Sequence, residues 1–307
     1  MTTSSPQTGN AGGPEPAGST AGGPAATGRP STPLLRLLEL EPLGGPRYRA
    51  PSGSFGGRAT VFGGQLLGQT VMAAAAGDSG KRVRQLHTVF ARAGAADSPV
   101  EFDIAPIHTG RTLGSVTITA RQGERTLCRS LVLLDAGEPD VFRQAEPMPA
   151  VPGPEDLADA GWAEPGSRTR LTDPTLDLDV TGPNGPPELG VWVSWPGLAP
   201  AASPTVHAAA ATWYTDPFVI GASMRPHDGF GQAMAHRSLS TAVVSHTLSF
   251  HDEFRADEWH LVRQRALHAG GGRVHGRGEV FTRDGRHVAS FSQEAVVRRS
   301  VRQGAAA

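Results

Sequence analysis

The feature that most constrains the fold is a series of predicted elements that occurs twice along the chain. An apolar helical run, a strand and a hairpin with a glycine in its turn follow one another in the first half and again in the second. Phe90, in the first strand, lies 33 residues before the turn glycine Gly123, and Phe250 lies 35 residues before Gly285. Because order and spacing both recur, we predict one structural unit repeated twice.

The predicted helices are too apolar for the surface of a solvated sheet. The first unit has a helix at 62–77, a strand at 86–94 and a hairpin at 101–134, and the second has them at 206–223, 243–251 and 259–297. In the first helix, residues 71–76 read VMAAAA and leave almost no polar face. This pattern predicts an α+β double hotdog, two helix-wrapped antiparallel sheet units in one chain. A plain α+β sandwich with helices on an open face is the alternative.

Glycine and proline mark the predicted domain boundaries. Segments rich in Gly, Pro, Ala, Ser and Thr bury too little to order themselves, and Gly/Pro clusters elsewhere are typical of connectors. The connector is expected to lead into a strand at Leu189–Val193. The resulting division is a disordered tail at 1–33, a first hotdog at 34–136, a connector at 137–188, a second hotdog at 189–300 and a frayed end at 301–307.

Composition excludes several classes of partner. The formal net charge is −1, the isoelectric point is near 6.8, and the basic residues are scattered, so we expect no nucleic acid or anionic membrane surface to bind. No stretch approaches the ~18 apolar residues of a membrane span. Cys128 is the only cysteine, which rules out an intrachain disulfide. The opening residues do not form a secretory signal, and we expect a cytoplasmic protein.

Gln293 is an unexpected residue in the last predicted strand. Alternation puts Phe291, Gln293 and Ala295 on one face of that strand, and this face is otherwise apolar. A buried carboxamide without partners costs roughly 1–3 kcal/mol. Gln293 is therefore predicted either to be satisfied by neighbouring backbone or to hold a ligand.

Four stretches of the sequence resemble the acyl-CoA thioesterase II family, the double-hotdog enzymes typified by bacterial TesB. They are VFGGQLLGQ at 61–69, PVEFDIAPIHTGRT at 99–112, FHDEFRADEWHL at 250–261 and GRGEVFTRDGRHVASFSQEAVVR at 276–298. The last of these is the most specific, because it matches in turn, strand and the Ser-Gln-Glu-Ala ending. The resemblance reaches from about residue 55 to 299.

This resemblance implies hydrolysis of a fatty acyl-CoA to a free acid and coenzyme A. In the family, an Asp, a Thr or Ser and a Gln orient water against the thioester carbonyl, and the Asp and Gln correspond to Asp216 and Gln293. The hydroxyl position is occupied by Val243. Ser245 is expected to face the same side of the strand, one strand step of ~6–7 Å away, and to supply the hydroxyl.

Further site residues are expected at the start of the first helix. Gly63 and Gly64 would allow the thioester to approach backbone N–H groups that stabilise the oxyanion, and Gln65 is grouped with them as substrate-binding. Asp216 has a second interpretation as a helix cap, because it directly precedes Pro217.

Histidines receive a structural interpretation. His246 is expected on the strand face opposite Val243 and Ser245, pointing away from the site, and His87 is interpreted in the same way. Two rival functions remain. One is non-hydrolytic binding of acyl-CoA or acyl carrier, and the other is a hotdog dehydratase or cyclase of secondary metabolism that uses His246.

Other catalytic signatures are absent from the sequence. It has no HExxH, paired CxxC or phosphate-binding loop, and SGSFGG at 52–57 lacks the first glycine of a nucleophile elbow. We therefore expect no cofactor and no metal. Edge-to-edge pairing of hotdog sheets is compatible with a homodimer.

Overall fold

The structure, a computed structural model, describes residues 32–77, 80–173, 184–198 and 202–300. The predicted tail falls outside these residues except for its last two, and these two begin a helix: Thr32 caps it and Pro33 is its first residue. Residues 301–307, predicted as a frayed end, also lie outside. The helices are α1 (Pro33–Leu38), α2 (Gly63–Gly77), α3 (Pro204–Thr215) and α4 (Phe218–Met224).

One continuous antiparallel sheet contains all the strands longer than an isolated bridge in the described part of the chain. They are β1 (Glu41–Gly44), β2 (Arg47–Ala50), β3 (Arg82–Phe90), β4 (Val100–Thr109), β5 (Leu113–Gln122), β6 (Arg125–Asp135), β7 (Arg168–Leu171), β8 (Glu188–Ser194), β9 (Leu239–Phe250), β10 (His260–Gly270), β11 (Arg273–Thr282) and β12 (His287–Arg299).

The two halves of the sheet have corresponding strand orders, related by an approximate twofold axis at the centre of the sheet. From one edge to the centre the order is β1-β2-β4-β5-β6-β3, and from the centre to the other edge it is β9-β12-β11-β10-β8-β7. The halves meet where β3 pairs antiparallel with β9, with Leu86 opposite Leu248. The turns fall at the predicted glycines, since Gly123 and Gly285 have φ of +57° and +90°. The predicted double-hotdog fold is therefore confirmed.

The central helices pack against each other through glycine. A Cβ on Gly64 would lie 2.8 Å from the Trp213 carbonyl oxygen, and one on Gly68 would lie 2.8 Å from the Ala209 carbonyl oxygen. The pairs run in opposite directions along the two helices, so α2 and α3 are antiparallel. Ten of the fifteen residues of α2 are buried, as expected for a helix wrapped by a sheet.

The second helical run is broken in two, whereas the sequence predicted one helix over 206–223. α3 ends at Thr215 and α4 begins at Phe218, with Asp216 and Pro217 between them. Proline has no N–H to donate and its ring clashes with the preceding turn, so the helix is interrupted there. This break places the backbone carbonyl and the side chain of Asp216 at the end of α3.

The described part of the connector packs against the second half. β7 pairs with β8, and Trp192 of β8 donates its indole N–H to the Pro152 carbonyl at 2.9 Å. The strand predicted at Leu189–Val193 is observed as β8. The domain boundaries drawn from the sequence stay predictions. Among the described helices, no segment has the length and apolar character that crossing a membrane would require.

Candidate active site

The structure brings Asp216 and Gln293 together. Gln293 lies on the inner face of β12 and donates its side-chain N–H to the Asp216 backbone carbonyl at 2.8 Å. The same nitrogen lies 3.5 Å from the Asp216 carboxylate oxygen Oδ1. Both residues are buried, with 4% and 1% of their surface exposed. A carboxyl and a carboxamide from distant parts of the sequence thus share one enclosed site.

Asp216 faces the N-terminus of a helix from the other half of the molecule. Its carboxylate accepts a hydrogen bond from the Gly64 backbone N–H. A Cβ on Gly63 would lie 2.9 Å from both carboxylate oxygens, so only glycine leaves room for the acid there. The interpretation of Asp216 as a cap is therefore wrong for the following helix, because α4 has no side-chain cap. Its carboxylate lies instead at the first turn of α2.

The environment of Asp216 brings its ionisation into the neutral range. Burial raises the pKa of its carboxyl to about 7, against smaller lowering effects of the Gly64 N–H and the Arg58 guanidinium. Arg58 itself pairs with Glu164 of the connector, with 2.7 Å between Nη2 and Oε1. It also lies over the Phe62 ring, 5.0 Å from the ring centre. Such a carboxyl is suited to accept a proton at physiological pH.

Gln293 has one unused acceptor. A carbonyl oxygen only accepts, so the contact with the Asp216 carbonyl identifies the nearer carboxamide atom as Nε2. Its Oε1 is buried and has no hydrogen-bond partner among the described residues. Of the two sequence interpretations, backbone satisfaction therefore accounts for the nitrogen of Gln293 but leaves the oxygen unexplained.

His246 points into this site, and the expectation that it points away is wrong. It is fully buried, its Nδ1 lies 3.4 Å from Gln293 Nε2, and its Nε2 lies 3.2 Å from Thr215 Oγ1. Its ring stacks on Phe291 with 5.5 Å between the ring centres. Burial lowers the pKa of the imidazole to about 3, so it is neutral at physiological pH.

A β-bulge explains why the alternation argument failed. Glu294 of β12 lies opposite Ser245, but the next residue, Ala295, lies opposite Val243, so Val244 is an extra residue in β9. The bulge changes the parity of the strand. Val243 and His246 therefore both face inward, although three positions separate them.

The same bulge contradicts the predicted orientation of Ser245. Its neighbours across the sheet are Glu294 and Val89, and Val89 is an outer-face residue with half of its surface exposed. Ser245 lies on this outer face with them. Its hydroxyl does not face Asp216, and Val243, which packs against the core, brings no hydroxyl of its own.

Two of the three residues expected to bind substrate at the start of α2 have other contacts. Gly64 packs against Trp213 of α3 and gives its N–H to Asp216. Gln65 is buried and donates to the Gly53 carbonyl at 2.9 Å. The GxxxG spacing of Gly64 and Gly68 is the signal in the sequence for this close packing of two helices. Gly63 keeps a place in the site beside the acid.

Thr215 and Arg58 lie in the candidate site, although no sequence pattern pointed to them. Thr215 is buried, directly precedes Asp216 and links His246 to the backbone of α3. Arg58 influences Asp216 from the segment before α2. The WYTDPF stretch contained Thr215, but nothing in its pattern assigned a role to the hydroxyl.

Two cavities lie away from these residues. One, of about 60 Å³, is lined by residues at the far end of the antiparallel helix pair, including Val71 and Ala208. Another, of about 670 Å³, is lined by charged residues and Trp259 near the start of α3. Asp216 and Gln293 line neither of them. Within the described ranges, no group of three His, Cys, Asp or Glu side chains is placed to hold a metal ion.

Models of two protein families match the chain. The acyl-CoA thioesterase N-terminal domain matches residues 51–134, and the acyl-CoA thioesterase C-terminal domain matches residues 142–297. Together they span both repeats and include Gly63, Asp216 and Gln293.

Curated relatives and solved structures agree with these models. The chain is 26% identical to acyl-CoA thioesterase 2 of Haemophilus influenzae, over 86% of this chain and 96% of that one. It is 28% identical to acyl-coenzyme A thioesterase 8 of Mus musculus, over 86% and 88%. The structure of the acyl-CoA thioesterase II TesB2 from Mycobacterium marinum aligns with a TM-score of 0.73 and 27% identity, over 87% and 98%. A putative thioesterase II from Thermobifida fusca aligns with a TM-score of 0.74 at 19% identity, over 88% and 99%, and supports the fold alone.

Proposed function

The chain belongs to the acyl-CoA thioesterase II family, the TesB-like thioester hydrolases, and from this premise we propose that it hydrolyses a fatty acyl-CoA with water oriented by Asp216 and Gln293. The products are the free acid and coenzyme A. The observation that carries the proposal is the unpartnered Oε1 of Gln293 beside a buried carboxyl whose pKa is about 7.

The two side chains divide the work on one water molecule. The ionised Asp216 accepts one of its hydrogens as a general base, and Gln293 Oε1 accepts the other. The water oxygen then attacks the thioester carbonyl and forms a tetrahedral intermediate. Collapse of that intermediate breaks the C–S bond, and the proton held by Asp216 passes to the departing coenzyme A thiolate. The carboxyl returns to its ionised form as the acid leaves.

The first turn of α2 is the source of stabilisation for the oxyanion. Helix N-termini carry a partial positive charge and backbone N–H groups that no turn of the helix satisfies. The Gly64 N–H is engaged by Asp216, so the acid and the oxyanion draw on the same helix end. The role expected of Gly63 and Gly64 is thereby altered: Gly63 admits the carboxylate, and Gly64 donates to it.

The rival dehydratase function has less support. It requires His246 as an acid or base, yet the imidazole is enclosed by Thr215, Gln293 and Phe291. Burial lowers its pKa to about 3, so at neutral pH it is a weak base and is not present as the imidazolium acid. The cytoplasmic location and the homodimer expected from the sequence stay predictions. Light scattering on the purified protein tests the second of these.

The test is coenzyme A release from a panel of acyl-CoAs, from short linear to long and branched chains. Asp216→Asn and Gln293→Ala should each lower kcat by roughly 10²-fold or more. Gln69→Ala is a matched control: Gln69 is also buried, donates to a backbone carbonyl at 2.8 Å and has an unpartnered Oε1, but its acceptor is Leu37. It should keep most of the activity. Binding of acyl-CoA without release in the unmodified protein would instead support the non-hydrolytic alternative.

A further inference from the structure

We propose that His246 is a positioning residue: it accepts one hydrogen of the Gln293 carboxamide and so keeps that hydrogen away from the Asp216 carboxylate, which stays available to water. This inference rests on the proposed function. It gives a role to a fully buried side chain that the water-orienting step does not itself use.

The polarity of the hydrogen-bond chain follows from the groups present. Gln293 Nε2 has two hydrogens and no lone pair to offer, so Nδ1 of His246 must accept at this contact. A neutral imidazole carries its one hydrogen on the other nitrogen. Nε2–H therefore donates to Thr215 Oγ1, and the Thr215 hydroxyl donates onward to the Thr212 carbonyl at 2.9 Å. Each group in this hydrogen-bond series can therefore donate or accept in only one way.

Two acceptors compete for one hydrogen of the Gln293 carboxamide, and this competition is why the hydrogen-bond series matters for Asp216. The first hydrogen of Gln293 Nε2 goes to the Asp216 backbone carbonyl at 2.8 Å. The second lies between two acceptors, His246 Nδ1 at 3.4 Å and Asp216 Oδ1 at 3.5 Å. If the carboxylate took that hydrogen, the bond would stabilise the anion and weaken it as a base. The imidazole prevents this.

The imidazole is held in place and held neutral. It stacks on Phe291 with 17° between the ring planes. The ionisable groups that bear on the pair are few: His87 acts on His246 from β3, and Arg58 acts on Asp216. Because burial keeps the pKa of His246 at about 3, the direction of the chain does not change over the pH range in which Asp216 titrates.

The test compares two replacements of the histidine. His246→Phe keeps a flat ring but removes the acceptor, and it should lower kcat about tenfold or more while KM changes less than about twofold. The acid limb of its pH profile should move to lower pH, because the carboxylate gains the hydrogen. His246→Asn restores an acceptor near the position of Nδ1, and it should recover part of kcat and return the limb toward its original place.

A double-mutant cycle and a spectrum complete the test. In a Gln293→Ala background, His246→Phe should cost less than about twofold, because the residue through which it acts is gone. The proposal would be overturned if the kcat losses of the two substitutions multiplied in the double mutant. It would also be overturned if the acid limb of the His246→Phe pH profile did not move. ¹⁵N NMR of the unmodified protein should show the hydrogen on Nε2 of His246, and a hydrogen on Nδ1 would also overturn it. If His246→Phe does not fold, Thr215→Val and this spectrum still test the proposal. Thr215→Val should lower kcat several-fold. An unchanged kcat would contradict the proposed series of hydrogen bonds.

The outcome is separable from that of the proposed function. Absence of coenzyme A release from the unmodified protein would contradict hydrolysis. Release that depends on Gln293 but not on His246 would contradict the positioning role alone.

Discussion

Asp216 is subject to two opposed requirements. Burial makes its anion costly, while the proposed hydrolysis requires that anion, and the Gly64 N–H and Arg58 recover only part of the cost. The result is a carboxyl with a pKa near neutral pH. It therefore changes from a neutral acid to an anion that can accept a proton within a narrow pH range.

The first prediction concerns pH. For the unmodified protein, kcat/KM should rise through about pH 7 as the Asp216 carboxyl ionises. Arg58→Gln removes a cation that lowers this pKa, so the rise should move to higher pH. A pH profile of kcat/KM measures both. Arg36→Gln, at an exposed position of α1, is the control and should leave the profile in place.

The second prediction concerns stability. The folded pKa of Asp216, about 7, lies above the ordinary value of about 3.9, so the fold loses stability as pH rises between these two values. Asp216→Asn carries no such cost. It should therefore be more stable than the unmodified protein by a few kcal/mol, on the order of 2–4, at pH 8 and by much less near pH 4. Urea unfolding at both pH values measures this. A gain that is equal at both would contradict it, and Asp97→Asn, at an exposed position, should show none.

The third prediction concerns Val243, which faces inward where the family carries a hydroxyl. Val243→Thr keeps the shape of the side chain and adds the missing group, so kcat should rise several-fold, at a cost of about 1 kcal/mol in stability. Steady-state kinetics on the best acyl-CoA measures the gain. The same change at Val89, on the outer face of β3, should have no effect on kcat.

At the scale of elements, the close approach of α2 and α3 sets the position of the site. Gly68→Ala would put a Cβ 2.8 Å from the Ala209 carbonyl oxygen, and the helices would have to move apart. As the fourth prediction, this change should lower the free energy of unfolding by roughly 1–3 kcal/mol in urea. Gly77→Ala, at the end of the same helix, meets only the Ile104 side chain at 3.4 Å and should be close to neutral.

The elements show which parts of the structure were readable from the sequence. Helix α2, the turns at Gly123 and Gly285 and the inward face of Gln293 follow from local patterns of side chains. The bulge at Val244 does not, because the types of side chain in a bulged strand can be the same as those in a regular strand. It reversed the predicted faces of Ser245 and His246. The contact of Asp216 with the start of α2 is between residues 152 positions apart, and no pattern within either segment encodes it.

At the scale of the whole molecule, the candidate site belongs to neither repeat alone. The first repeat contributes the N-terminus of α2, and the second contributes Asp216, His246 and Gln293. The central β3–β9 pairing and the close packing of α2 against α3 together hold one set against the other. The sequence revealed the repetition but not this division, because the division depends on how the two helices face each other.

Joining both repeats in one chain also changes what mutation can do. In a dimer of identical single-repeat chains, each substitution appears twice, so an acid buried at one helix end is matched by a second buried acid at the other. A tandem gene removes that obligation, since the copies accumulate changes independently. One repeat can then carry the buried carboxyl while the other carries the helix end that it contacts. The electrostatic cost of burying a carboxyl therefore need arise only once in each molecule.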